Sequence, residues 1–224
     1  MELKLAIEER RSIRGFEARP VSQEILREVL QLAARAVSAV NAQPWEFHVM
    51  TGDVLEQVRQ DCAECFRRGE TPEASAYASL SGVYHTRRVE IAKQLLTAME
   101  IPREDRARRD WWMERGFRYF DAPAAIILCM DDSLDEATYR FDMGCVTQNI
   151  CLAAMEWGLG TCVAYQGVSY QSVLRRHLNI PDNKRIVCSI SIGYPDQSFP
   201  ANQVRSTREE IDRISVWHGF VDQK

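Results

Sequence analysis

The stretch Glu9-Arg10-Arg11-Ser12-Ile13-Arg14 sets three guanidinium groups and one hydroxyl within five residues. Each guanidinium can donate two parallel hydrogen bonds to a pair of oxygens, so this density beside a hydroxyl suits a phosphate or another anionic oxygen cluster. A solvated charged turn after a short N-terminal helix accounts for the same residues, and on this stretch alone it is the simpler account. At the far end of the chain Arg205 and Arg208 stand three apart, a second basic pair that is either an anion site or a solvated tail. Between them, Ser38-Ala39-Val40-Asn41-Ala42-Gln43-Pro44-Trp45-Glu46-Phe47 combines small polar groups, a proline and two aromatic rings, as a turn with a packed tryptophan does.

Other site chemistries find little support. Gly158-Leu159-Gly160-Thr161-Cys162-Val163 begins like a dinucleotide fingerprint, but it has no third glycine and precedes an expected strand instead of following one. Cys62 and Cys65 form a C-x-x-C inside a helical pattern with no second pair, so a four-ligand zinc site is not expected. His48, His85, His177 and His218 show no ligand spacing, and there is no G-x-S-x-G nucleophile elbow. With 28 Lys and Arg against 32 Asp and Glu the net charge is −4, and no basic stripe is interleaved with aromatic residues, so nucleic acid is not an expected partner. No uncharged run reaches the ~18 residues of a membrane helix. The N-terminus alternates charged and apolar residues and lacks the apolar core of a signal peptide. Seven scattered cysteines, an odd number, fit reduced thiols in the cytoplasm better than a disulfide framework.

The elements that must hold these residues follow from periodicity. A short helix is expected over 3–10. Ser22 reads as an N-cap, and Ile25, Val29, Leu32, Ala33 and Ala36 then recur at helical spacing, which predicts a helix over 23–38. Phe47–Met50 reads as a strand, and Asp53 as the cap of a helix carrying Val54, Val58 and Cys62. Gly69 to Gly82 reads as a loop, followed by helices near 85–99 and 103–118. The apolar run 124–130 predicts a buried strand. From Met143 to Met155 there is no charge, so a helix there must be covered nearly all round, in the core or at a dimer interface. Strands are expected over 161–165 and 186–192, with a short helix over 170–178 between them. Helices with about four short strands, no repeat and no linker, describe one α+β domain.

Two of these stretches together resemble the opening of the FMN-dependent nitroreductase family: R-x-S-x-R, then a helix, then P-S-x-x-N-x-Q-P-W-x-F. The chain has Arg10, Ser12 and Arg14, then Ser38, Asn41, Gln43, Pro44, Trp45 and Phe47, with Val37 in place of the usual proline and Ala39 in place of a frequent serine. The resemblance resumes at Gly158–Cys162, Gly193-Tyr194-Pro195 and Asn202–Arg208, so it spans nearly the whole chain with a gap in the middle. It implies a nitroreductase-like three-layer fold, helices around a small, mostly antiparallel sheet, in a single domain over 1–224. It also implies a homodimer in which a tail of about 197–224 crosses to the partner, and a helical lid or insertion at about 69–120.

The implied cofactor is FMN at the dimer interface. The implied reaction is two-electron reduction of nitroaromatic or quinone-like acceptors by NADH or NADPH, which alternate with the acceptor at one face. Arg10 and Ser12 are implied to bind the FMN phosphate, and Arg14 the ribityl chain or the pyrimidine edge of the ring; Arg11 is the weaker candidate of the cluster. Ser38 and Asn41 are implied to contribute from the partner subunit. Cys162, Val163 and Ala164 occupy positions where related sequences, often Cys-Pro-Gln, make backbone contacts to the flavin, and Arg205 and Arg208 are implied to complete the phosphate site. Tyr84, Arg87, Arg88, Trp111, Trp112 and Phe117 are candidates for a wall over the flavin, with core packing equally suited to the tryptophans. No side-chain acid or nucleophile is required, since the cofactor carries the chemistry. Two alternatives remain at this point: a flavoenzyme of the same fold with other chemistry (dehydrogenation, reductive dehalogenation, flavin breakdown), or a flavin-binding protein without turnover.

Overall fold

Four apolar runs become one antiparallel sheet. In this computed structural model, which describes residues 2–74 and 80–219, β1 (Glu46–Thr51), β2 (Ala124–Asp131), β3 (Gly160–Ala164) and β4 (Lys184–Gly193) lie in the order β1-β2-β4-β3. The register sets Phe47 opposite Leu128, Ile126 opposite Ile190, and Val163 opposite Ile190 from the other side. β2 is central and buried from Ala124 through Met130, as its unbroken apolar run requires. Its alternate residues face opposite ways. Ala124, Ile126, Leu128 and Met130 pack with α2 (Gln23–Ala33) and α6 (Glu136–Ala154), while Ala125, Ile127 and Cys129 pack with α3 (Gly52–Arg67), α5 (Arg106–Phe117) and α7 (Gln171–Leu178). The result is the expected three-layer α+β architecture, with the sheet between two helical layers.

α1 (Leu3–Glu9) precedes the sheet, α4 (Gly82–Ala98) lies at the periphery with Leu95 as its buried residue, and α8 (Ile211–Ile214) is a single turn in the tail. Part of the expected loop over 69–82 and the last part of the expected tail, residues 75–79 and 220–224, lie outside the described residues. Among the described residues no helix is long and apolar enough to cross a membrane.

Several boundaries differ from expectation. α2 stops at Ala33 instead of running to 38, because α6 intercepts the chain: the Asn149 amide donates to the Ala33 carbonyl at 3.3 Å and the Asp142 carboxylate accepts from the Ala39 N–H at 3.0 Å. α6 begins at Glu136 instead of Met143, capped by Asp135, whose carboxylate accepts from the Thr138 N–H at 2.9 Å. Asp53 is not a cap. α3 starts directly from β1 at Gly52, whose φ of 54° lies in the region glycine tolerates, and Asp53 falls in the first turn. Gly158, at φ 68°, does end the helical segment after α6. Phe117 belongs to the core, stacked on Phe66 at 4.8 Å and beside Tyr170 at 5.5 Å. Burial pushes the Cys62 and Cys129 thiols up to about 12 and Cys188 to about 11, so these cysteines are protonated packing groups at neutral pH.

Candidate active site

The Arg10–Arg14 stretch runs along the outer edge of β3. Ser12 bridges to Thr161 in parallel, and the Ile13 N–H donates to the Thr161 carbonyl at 2.9 Å. Side chains alternate across such a segment. Ile13 is buried, and the Arg11 Nε on the same side donates to the Asn202 carbonyl at 2.7 Å, with Glu9 at 4.0 Å. Arg10, Ser12 and Arg14 share the other side, and all three act on the Cys162 thiol. Burial pushes that thiol up, while the Arg14 charge, the Ser12 hydrogen bond and the Arg10 charge pull it the other way.

The arginines of this region divide by commitment. Arg205 is paired with Glu9 at 2.6 Å, and Arg115 with Asp121 at 2.8 Å. Arg208 donates to the Ser206 hydroxyl at 2.8 Å and the Thr207 carbonyl at 2.9 Å, in a groove beside α4. Among the described residues the Arg10 side chain makes no hydrogen bond or ion pair, and Arg14 offers its guanidinium only to the Ser12 carbonyl, at a long 3.4 Å, and to the Phe120 ring, whose centre lies 5.9 Å away. Two cations and a hydroxyl, held on one side without a carboxylate, form a donor set suited to a phosphate.

Two devices fix this strand. The first is Asn202, which is 1% exposed. Its Oδ1 accepts from the Arg14 N–H at 2.7 Å and the Gly15 N–H at 3.2 Å, and its Nδ2 donates to the carbonyls of Gly15 at 2.7 Å and Asp196 at 2.9 Å. Gly15 is required here, since a Cβ would run into the Phe199 ring. The second is the turn Tyr119–Asp121, where three successive residues hold φ between 53° and 57°. Left-handed backbone at consecutive non-glycine residues is strained and persists only where the surroundings over-determine it. Here the Tyr119 hydroxyl donates to the Gly167 carbonyl at 2.6 Å, and Arg115 bridges Asp121 to the carbonyls of Phe120 at 3.2 Å and Arg14 at 3.0 Å. Arg59 donates to the carbonyls of Arg118 and Ala122 on either side of the turn. The turn sends Phe120 against Cys162 and Ala164.

Arg14, Phe120 and Cys162–Ala164 form one end of a cleft of about 770 Å³, walled by α4 and α5 with Trp112 and Met113. The structure therefore groups Arg10, Ser12, Arg14, Cys162, Val163 and Ala164. It turns Arg11 to the opposite side and places Arg205 and Arg208 along α1 and α4. Of the wall candidates, Arg88 and Trp112 line the cleft, whereas Arg87 is paired with Glu209 at 2.6 Å and Trp111 stands nearly half exposed.

Ser38 and Asn41 stand apart, on a turn carried by α2 and α6. Val40, Asn41 and Gln43 have φ of 48°, 58° and 47°, and the Ser38 hydroxyl accepts from the Gln43 N–H at 3.1 Å. A β-branched residue in that region is an outlier, and Val40 is also 93% exposed. Asp142, 3% exposed on α6, anchors the turn through Ala39. Asp142→Ala is expected to lower stability by about 1–3 kcal/mol, the cost of leaving a partly buried N–H without its partner. A melting temperature within a degree of the wild type would show that Asp142 is not the anchor. Sequence reading missed Asp142, Arg115, Phe120 and the clamping role of Asn202. An acid directly before the uncharged run 143–155 was the one available signal.

Comparison with known proteins places this arrangement. The sequence pattern described as the nitroreductase family matches residues 7–194. The chain is 37% identical to the nitrobenzene nitroreductase of Ectopseudomonas oleovorans over 94% of both chains, and 36% identical to the chloronitrobenzene nitroreductase of Comamonas testosteroni, again over 94% of both. Among solved structures, the FMN- and NADPH-dependent nitroreductase NfnB from Sphigopyxis sp. strain HMH superposes with a TM-score of 0.93 at 28% identity, covering 98% of this chain and all of its own. The strand of arginines beside β3, the three-layer fold and these likenesses, which run nearly end to end, lead to one assignment: the chain belongs to the nitroreductase family.

Proposed function

We propose that the chain is an FMN-dependent oxidoreductase that takes electrons from NADH or NADPH and delivers them in pairs to nitroaromatic or quinone-like acceptors, donor and acceptor using one site in turn. The observation that carries the reading is the face formed by Arg10, Ser12 and Arg14, which holds two cations without a carboxylate partner beside Cys162–Ala164. Relatives named for nitrobenzene and chloronitrobenzene support the acceptor class.

Bound FMN would supply the hydride acceptance and release that the side chains lack. Arg10 and Ser12 would hold its phosphate. Arg14 would set a fixed positive charge where negative charge accumulates on reduction, the preorganised stabilisation that water supplies less well. Arg205 and Arg208, on the tail, would close the phosphate side, and Arg11 would act through Asn202. Cys162, Val163 and Ala164 would present backbone to the ring. Phe120 and Trp112 would give flat acceptors an apolar wall, and the helical region 69–120 would serve as the lid.

Ser38 and Asn41 would come from a partner subunit. A homodimer is supported by the outer side of α6 from Phe141 onward, which carries no exposed charge and where Phe141 is 71% exposed and Gly144 and Gln148 are exposed with it, and by Ile211, Ile214 and Val216, which the tail leaves exposed. The single domain 1–224 would then exchange its tail, from about 197. Seven unpaired cysteines fit the reducing cytoplasm.

The test is anaerobic stopped flow in two halves. The purified dimer should release FMN, not FAD, on denaturation. NADH or NADPH should bleach the flavin, and nitrobenzoate or a quinone should restore its colour. A flavin untouched by either nicotinamide would overturn the reductase reading, and a flavin-loaded monomer at micromolar concentration in sedimentation would overturn the dimer.

A further inference from the structure

The cleft that holds Arg14 and Cys162 at one end carries an excess of positive charge along its other walls. Arg88 on α4, Arg103 in the connection, and Arg106 and Arg109 on α5 line it, against only Glu104 and Asp110 as acids among the described lining. Arg106 shares Asp110 across 3.8 Å between two exposed side chains, a contact of little strength in water. Arg109 donates to the Arg103 carbonyl at 3.1 Å, which leaves its charge unneutralised. Among the described residues Arg88 and Arg103 have no ion-pair partner. Residues 75–79, which lie outside the described residues, carry no charge in the sequence. A cleft with several unneutralised guanidinium groups on low-dielectric walls concentrates anions.

The position of these groups decides between anions. The C-terminal end of α5 is docked at β3's end of the cleft: Gly116 lies against the Gln166 side chain, which also donates to the Met113 carbonyl at 3.3 Å. Arg106 opens the same helix, ten residues before Gly116, so it stands about 15 Å away along the axis. Arg103 lies beyond it. A benzoate-sized acceptor seated beside Cys162 is too short to reach that far. A nicotinamide dinucleotide with its nicotinamide at the same place is long enough to bring its adenosine end there.

We propose that Arg103, Arg106 and Arg109 form a phosphate-reading subsite at the outer end of the cleft, which takes the adenosine 2′-phosphate of NADPH and so favours NADPH over NADH. The inference rests on the proposed reductase function for its physiological meaning. A doubly charged phosphate gains charge-assisted bonds from forked donors, and a free 2′-hydroxyl gains none of comparable strength.

The experiment uses the full-length, FMN-loaded protein and R103Q/R106Q, both positions being exposed and outside the packed core. Unchanged melting temperature and FMN content establish that the variant is folded. Binding of 2′,5′-ADP and of 5′-AMP is measured by calorimetry, which requires no turnover. Wild type should bind 2′,5′-ADP at least tenfold more tightly than 5′-AMP, and the variant should lose most of that preference. In steady state with nitrobenzoate as acceptor, kcat/KM for NADPH should fall about tenfold more than kcat/KM for NADH. Equal wild-type affinity for the two nucleotides would overturn the subsite. So would an unchanged NADPH to NADH ratio, including the case in which only the KM for nitrobenzoate rises and the arginines serve the acceptor. Selective 2′,5′-ADP binding by a protein that oxidises neither nicotinamide would leave the subsite standing and overturn the reductase function instead.

Discussion

Asn202→Ala should lower stability by at least about 3 kcal/mol, because one truncation removes the partner of several buried main-chain groups, each worth about 1–3 kcal/mol when left unsatisfied. Those groups are the N–H of Arg14 and Gly15 and the carbonyls of Gly15 and Asp196. In a chain of this size the loss corresponds to a drop in melting temperature of roughly 6–12 °C. The amide is matched to its place: its oxygen meets two donors and its nitrogen meets two acceptors, so neither Asp nor Leu can replace it. The same side chain ties the tail to the strand that carries Arg10, Ser12 and Arg14, while the Asn202 carbonyl receives Arg11. FMN retention should therefore fall together with melting temperature. Calorimetry on the apo and FMN-loaded forms separates the two effects. A variant that melts within about a degree of wild type would remove Asn202 as the clamp.

This clamp illustrates what the sequence could and could not convey. The strands were legible because each is a short apolar run bounded by proline, glycine or polar residues, and β2 was legible as buried because no polar residue interrupts it from Ala124 to Met130. The basic strand was legible from the spacing of Arg10, Ser12 and Arg14. The opposite orientation of Arg11 was not, because alternation acquires meaning only once Ser12 is known to bridge Thr161. The end of α2 was hidden for a different reason. Its stop signal is not a local glycine or proline but Asn149 and Asp142, more than a hundred residues away in sequence. The left-handed turn Tyr119–Asp121 contains no glycine, so propensity points away from it; Arg115, Arg59 and the Tyr119 hydroxyl impose it from outside. Tertiary contacts override local preference at positions that build a site, and Phe120 beside Arg14 is such a position.

Arg10→Ala should weaken FMN binding by about 1.5–3 kcal/mol, the range for losing a hydrogen bond to a charged group, which is roughly 10- to 150-fold in Kd. The expectation follows from what Arg10 does not do. Among the described residues its side chain has no hydrogen bond or ion pair, so truncating it orphans nothing and should leave the melting temperature of the apo protein nearly unchanged. Arg11→Ala should behave in the opposite way, lowering stability through the Asn202 carbonyl at 2.7 Å and affecting FMN less. Arg10→Lys should recover only part of the affinity, since an ammonium keeps the charge and loses the fork. Riboflavin supplies the control, because it shares the ring and ribityl chain and lacks the phosphate. Wild type should prefer FMN over riboflavin strongly, and Arg10→Ala should narrow that preference while leaving riboflavin affinity in place. Fluorescence titration of the apo protein with both flavins measures this directly. If Arg10→Ala weakens FMN and riboflavin equally, Arg10 does not read the phosphate and the orientation assigned to the cofactor is wrong.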